Sequence, residues 1–326
     1  MSTLVVAYQL EPNGRTIVGE ALGGAADLVC LPDLDDAARA DALRNADAVL
    51  ARTTRKLRQG EIALLKDVRL LQFINAGIDF VPLAELPAGV RVATNGGAYA
   101  EPMAEHALAM ALAASKRLLV EHAALTQGEF NQFARNRMLA VGVCGILGFG
   151  GIGVAMARLA RGIGMKVHAI NRRGRSEEPT DWIGTPDQLD LLLMASDVLV
   201  ICTPLTPATL GMIGAPQLAR MKEDAILVNV ARGEIVDERA LYQRLLAFPK
   251  FSACIDAWWI EPIRHGTFRM DQPFMSLPNV IGSPHNSAAA IAGTGAVGLQ
   301  RAIANIKRAL AGETPLYLVP PEDRMM

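Results

Sequence analysis

The sequence predicts an α/β protein built from two doubly wound parallel sheets. Three observations carry that expectation. The chain has 326 residues, 51% of them hydrophobic, which is enough for two domains with a core each. Short aliphatic runs alternate with helical patterns from the N-terminus onward, the rhythm of a parallel sheet. The rhythm then restarts at Val143, where a glycine-rich loop separates a strand pattern from a helix pattern.

In chain order, LVVAY, LVCL, DAVLA and RLLQFI read as the strands of the first sheet, with helix-like segments at Asp35 to Arg44 and Gly60 to Lys66 between them. The segment from Glu101 to Leu119 (EPMAEHALAMALAASKRLL) reads as one helix, because Pro102 suits a first turn and basic residues gather towards its end. From Val143, the runs VCGIL, MKVHAI, DVLVICT, AILVNV, FSACID and NVIGS supply about six strands, the complement of a nucleotide-binding sheet. The Ala-rich tail from Ser287 to Leu310 reads as one or two helices. Met138 to Ala157 carries no charge for 20 positions, long enough for a membrane span, yet six of those residues are glycine. Strand, tight turn and helix is therefore the better reading.

Composition narrows the function. With 32 Lys+Arg against 33 Asp+Glu, the formal net charge is −1, so there is no basic excess to neutralise nucleic acid or an anionic membrane, and neither is expected as a partner. The four cysteines lie far apart in apolar runs, without disulfide or zinc spacing. No metal is expected, since there is no H-E-x-x-H, C-x-x-C or carboxylate cluster. The apolar N-terminal run has no positive residue before Arg15 and does not read as a secretory signal, so a cytoplasmic location is expected.

Gly148-Phe149-Gly150-Gly151-Ile152-Gly153 fits G-x-G-x-x-G directly after VCGIL and before a helical pattern. The first glycine permits a tight turn, the second lets backbone approach a pyrophosphate, and the third lets helix pack on strand. The helix N-terminus then offers N–H groups and a positive dipole end. Gly148, Gly150, Gly151, Ile152 and Gly153 are accordingly candidate cofactor contacts. The next strand ends at Asn171-Arg172-Arg173, about 23 residues past Gly148, where an acid would bond the ribose 2′-hydroxyl of NAD. Asn171 brings no charge to repel a 2′-phosphate, and Arg172 and Arg173 offer guanidinium groups to bind one, so NADP(H) is expected in preference to NAD(H). A solvated basic loop, shared with Arg175, is the alternative.

Four further segments, LQFINAGIDF, VNVARGEIVDERAL, CIDAWWIEP and NVIGSPHNSA, occur in order around this loop. Together they make the chain similar, over nearly its whole length, to the D-isomer-specific 2-hydroxyacid dehydrogenases. The resemblance implies a flavodoxin-like substrate domain of residues 1–97 and 288–326 and an inserted Rossmann dinucleotide-binding domain of residues 98–287. It also implies Arg232, Glu261 and His285 as the catalytic set, backbone N–H groups of Asn75, Ala76, Gly77 and Ile78 as carboxylate binders, and a homodimer formed through the helix from Glu101 and the segment to Met138. One stretch departs from the family pattern, where the DAWWIEP position normally has no tryptophan pair. Trp258, Trp259 and the nearby His265 could shape a pocket or pack structurally.

Elementary chemistry gives the same three residues compatible tasks. Reducing a 2-oxo acid needs a hydride at C2, a proton for the ketone oxygen and an anchor for the carboxylate. Arg232 presents a planar, permanently charged fork for the carboxylate. His285 can give and take the proton, imidazole being the side chain whose charge changes nearest neutral pH. Glu261 can hold the other ring nitrogen. Thr203, Pro204, Val230 and Asp256 end strand runs and are expected on the nicotinamide side of the sheet. The expected activity is reduction of a small 2-oxo acid such as glyoxylate or hydroxypyruvate, or the reverse oxidation of an (R)-2-hydroxy acid. Formate or phosphite oxidation and a dinucleotide-sensing co-repressor are the alternatives.

Overall fold

The computed structural model describes residues 2–53, 57–58, 60–79, 81–87, 89–289 and 294–323. The chain divides into two compact units, residues 1–99 with 291–326 and residues 100–290.

The first unit contains β1 (Ser2–Val6), α1 (Pro12–Leu22), β2 (Ala26–Cys30), α2 (Asp36–Arg44), β3 (Ala48–Ala51), β4 (Leu70–Phe73) and β5 (Val92–Ala93). Its five parallel strands run in the order β2-β1-β3-β4-β5, the flavodoxin-like arrangement. Every residue of β3 and β4 is buried, as expected of a sheet covered on both faces. One face packs Val18 and Leu22 of α1 with Ala302, Ile303 and Ile306 of the C-terminal helix Thr294–Leu310, while the other packs Leu31, Leu43 and Leu65. The one buried polar residue of β4, Gln72, is satisfied: Asn305 Nδ2 donates to its Oε1 at 2.7 Å and its Nε2 donates to Phe73 O at 2.8 Å. Asp35 caps α2 by accepting from Ala38 N at 2.9 Å. The segment expected to be helical at Gly60 to Lys66 is instead a 3₁₀ stretch, Ile62–Asp67.

The second unit comprises α3 (Ala100–Ser115), α4 (Leu118–Thr126), β6 (Val143–Leu147), α5 (Gly151–Gly162), β7 (Lys166–Ile170), β8 (Trp182–Gly184), α6 (Leu189–Ala195), β9 (Val198–Ile201), α7 (Ala215–Arg220), β10 (Ile226–Asn229), α8 (Glu238–Ala247), β11 (Ser252–Ile255), the short turn α9 (Pro262–His265) and β12 (Val280–Gly282). Its sheet has seven parallel strands in the order β12-β11-β10-β9-β6-β7-β8, the Rossmann order with one added edge strand. Met138 to Ala157 resolves into a loop, β6, the glycine turn and the start of α5, and among the described residues no helix is long and apolar enough to cross a membrane.

The single helix expected from Glu101 to Leu119 is two helices. Arg137 N takes the carbonyl of Ser115 at 2.9 Å and Lys116 Nζ donates to Arg137 O at 2.7 Å, so a returning strand of chain captures the end of α3. Arg117 then adopts a left-handed conformation (φ 56°) and α4 leaves in a new direction. In the tail, helix begins only at Thr294; Ser287 and Ala288 form a turn in which Ala289 N donates to Asn286 O at 2.8 Å, and residues 290–293 lie outside the described set.

Candidate active site

The order of the second sheet reverses at β6, which lies between β7 and β9, and in open α/β sheets ligands bind beyond the carboxyl ends of the strands at such a reversal. Gly148 follows β6 at φ +99°, and a Cβ there would stand 2.6 Å from Thr203 N, so both conformation and space demand glycine. Thr203, just past β9, thereby lies against the glycine turn with Pro204 next in the chain, and Cys202 Sγ donates to Gly148 O at 2.9 Å. A Cβ on Gly153 would stand 2.4 Å from Gly148 O, which accounts for the third glycine by packing. Gly150 is different. It begins α5 at φ −99° with no atom within 4 Å of a would-be Cβ. That open approach, together with the first-turn N–H groups of Gly151 and Ile152, fits a dinucleotide pyrophosphate.

Beyond β7, Asn171 does more than withhold a charge. Its Oδ1 accepts from Arg173 N at 2.9 Å and its Nδ2 donates to Arg175 O at 3.0 Å, which folds residues 171–175 into a turn with Arg172 and Arg173 exposed. The acid further along this loop, Glu178, is paired with Arg158 at 2.8 Å and with Arg161.

At the end of β10, buried Asn229 shapes the next turn: Oδ1 accepts from Ala231 N at 3.0 Å and Nδ2 donates to Arg232 O at 2.8 Å. Val230, between them, is fully buried and can offer only backbone to a ligand. Arg232 stands half-buried with Nη1 donating to Ala231 O at 2.7 Å.

Glu261 and His285 meet where the segments that follow β11 and β12 come together. Glu261 precedes α9 and is 8% exposed, its Oε1 accepting from Trp258 N at 2.7 Å. His285 Nδ1 sits 2.8 Å from Oε1 and 2.7 Å from Oε2 of Glu261, leaving Nε2 for other partners. Burial pushes the Glu261 carboxyl upward, but the His285 hydrogen bond and charge, the Trp258 amide and nearby Arg232 outweigh it and hold the group below its ordinary value. His285 itself is held at φ +50°, rare for a residue with a Cβ.

The support for that backbone is Asp256, expected as a cofactor contact and found fully buried just past β11. Its carbonyl accepts from His285 N at 3.0 Å, Oδ1 from Ser283 Oγ at 2.5 Å and Asn286 N at 3.2 Å, and Oδ2 from Ser287 N at 3.3 Å. His106 Nε2 bonds Ser283 Oγ at 2.9 Å from behind. Sequence reasoning assigns neither a role in the site: Ser283 lies in the NVIGSPHNSA segment without a task of its own, and no motif marks His106. Asn75, Ala76, Gly77 and Ile78 belong to the other unit, at the carboxyl end of β4. There Asn75 Nδ2 donates to Arg52 O at 3.0 Å, Asn75 O accepts from Asn95 N at 2.9 Å, and Ile78 is buried.

Residues 108–287 match the model of the D-isomer specific 2-hydroxyacid dehydrogenase NAD binding domain. Among curated relatives, the chain is 31% identical over 254 residues to the glyoxylate reductase of Korarchaeum cryptofilum, covering 76% of this chain and 75% of that one. It is 28% identical over 257 residues to the hydroxypyruvate reductase of Thermotoga maritima, covering 78% and 82%. A crystal structure of a D-isomer specific 2-hydroxyacid dehydrogenase from Xanthobacter autotrophicus Py2, in complex with NADPH and MES, superposes with TM-score 0.78 at 25% identity, covering 98% of each chain. The chain belongs to the D-isomer-specific 2-hydroxyacid dehydrogenase family.

Proposed function

We propose that this enzyme reduces a small 2-oxo acid, such as glyoxylate or hydroxypyruvate, to the (R)-2-hydroxy acid with NADPH as the preferred reductant. The observation that carries the reading is the Glu261–His285 pair, with Nδ1 occupied by carboxylate and Arg232 close enough to add to the charge Glu261 feels. The nicotinamide, when bound, supplies the hydride to C2. His285 Nε2 gives its proton to the ketone oxygen, and Glu261 fixes the ring and stabilises its positive charge. Arg232 grips the carboxylate through its fork and polarises the carbonyl. In the first unit, the backbone N–H groups of residues 75–78 are the proposed carboxylate binders.

Gly148, Gly150, Gly151, Ile152 and Gly153 would hold the dinucleotide pyrophosphate, and Arg172 and Arg173, beside uncharged Asn171, would hold a 2′-phosphate. Thr203, Pro204 and the backbone at Val230 would hold the nicotinamide half, and Asp256 would act there through the loop it braces. A second copy of the chain completes the enzyme as a homodimer. Its support is the segment after α3: no residue of α4 is buried, and Phe130, Phe133 and Val141 are 77%, 91% and 81% exposed.

Turnover with NADPH, followed by its absorbance across a panel of 2-oxo acids, with formate and phosphite tested in the oxidative direction, decides the substrate class. Reduction of glyoxylate or hydroxypyruvate is the expected result. Oxidation of formate or phosphite alone would replace this reading, and tight dinucleotide binding without any turnover would favour a sensor.

A further inference from the structure

Arg232, Glu261 and His285 all sit on irregular segments beyond strand ends, so something other than ladder hydrogen bonds must fix their spacing. The segment carrying Glu261 begins with Trp258 and Trp259, and both indole N–H groups are engaged. Trp258 Nε1 donates to Ser283 O at 2.8 Å, two residues before His285. Trp259 Nε1 donates to Val236 O at 2.7 Å, at the close of the 3₁₀ turn that begins immediately after Arg232.

The rings are themselves clamped. Trp258 is 5% exposed and meets Phe268 edge-on at 5.7 Å, while Trp259 stacks on Phe274 at 5.3 Å with 6° between planes. Backbone approaches are equally tight. A Cβ at Gly233 would lie 2.5 Å from Trp258 C and Trp259 N, and one at Gly282 would lie 2.8 Å from the Trp258 ring. Glycine next to Arg232 and glycine before Ser283 therefore let both neighbouring segments press on the tryptophan pair.

We propose that Trp258 and Trp259 are positioning residues of this active site, Trp258 setting the placement of His285 and Trp259 that of Arg232. The inference rests on the catalytic roles proposed above. Phenylalanine or leucine could fill the same space but would leave the carbonyls of Ser283 and Val236 without these donors. A rigid bicyclic ring held by its neighbours transmits position with little loss of side-chain freedom, and errors well under 1 Å at a proton donor or carboxylate anchor cost rate.

The test replaces each tryptophan separately by its benzothiophene isostere, which keeps shape and removes the N–H, alongside Trp258→Phe and Trp259→Phe. Glyoxylate and hydroxypyruvate serve as probe substrates, with melting temperature and NADPH binding as controls for folding. Loss of one hydrogen bond predicts a kcat about tenfold lower at position 258 with KM within about twofold, and a KM about fivefold to tenfold higher at position 259 with kcat within about twofold. Should the phenylalanine variants fail to fold, the isosteres decide. Folded isosteres with wild-type kcat and KM, or with the same change at both positions, overturn the proposal. His285→Ala assayed in parallel separates the two levels: silent isosteres beside an inactive His285→Ala overturn the positioning role alone, whereas an active His285→Ala overturns the catalytic assignment beneath it.

Discussion

Glu261 presents both carboxylate oxygens to one nitrogen of His285, at 2.8 Å and 2.7 Å, although 24 residues of chain separate them. Because this contact and the Trp258 amide outweigh burial, the Glu261 carboxyl is held below its ordinary value of 4.5 in the folded state. A carboxyl that binds its proton less tightly when folded stabilises the fold above its unfolded pKa, and that contribution disappears as pH falls through the folded value. Urea denaturation at about pH 6 and about pH 3 should show wild type losing more stability than Glu261→Gln over this interval. Equal losses would mean that the pair is not coupled to folding.

The glycines of the phosphate turn should separate by what surrounds them. Gly148→Ala and Gly153→Ala place a Cβ 2.6 Å from Thr203 N and 2.4 Å from Gly148 O, so each should destabilise by about 2 kcal/mol or more. Gly150→Ala meets no protein atom and should melt like wild type. Its dinucleotide affinity should nevertheless fall by about tenfold or more, as the pyrophosphate loses its close approach. Calorimetry with each variant checks both halves; a Gly150→Ala enzyme with normal affinity would remove the pyrophosphate from this turn.

Cofactor choice follows from Asn171, Arg172 and Arg173. Charge-assisted bonds from an exposed guanidinium, discounted for screening, predict about a threefold to tenfold preference for NADPH in kcat/KM. The Arg172→Ala, Arg173→Ala double variant should erase it. A preference surviving that change would assign the turn built by Asn171 to solvent exposure alone.

Assembly is read from the apolar residues beyond α3. Phe133, at 91% exposure, is the most open of the large apolar side chains there. Light scattering at micromolar concentration should give a dimer for wild type and a monomer for Phe133→Asp, with unchanged secondary structure by circular dichroism. A wild-type monomer would contradict the homodimer.

Much of this arrangement was legible in the sequence because its signals are local. The runs of β6, β7, β9, β10, β11 and β12 are mostly apolar, and the Gly148–Gly153 spacing needs only its flanking strand and helix to be interpreted. The edge strand β8, Trp182–Gly184, is the element the sequence hides, because three residues ending in glycine carry almost no strand pattern. The break at Arg117 was invisible for another reason: it depends on Arg137 capturing the carbonyl of Ser115 from 22 positions away. Asp256 was placed by its strand-end position, whereas its carboxylate is committed to Ser283, Asn286 and Ser287. The tryptophan pair stood out as unusual, but only folding shows which carbonyls its N–H groups reach.

The central claim, that His285 exchanges the proton with the substrate oxygen while Glu261 holds it, is tested most directly by steady-state reduction of glyoxylate and hydroxypyruvate by His285→Ala. Loss of a positioned proton donor predicts kcat lower by about 10²-fold or more, with NADPH affinity by fluorescence titration little changed. Near-normal turnover by a folded, NADPH-binding His285→Ala enzyme would contradict it.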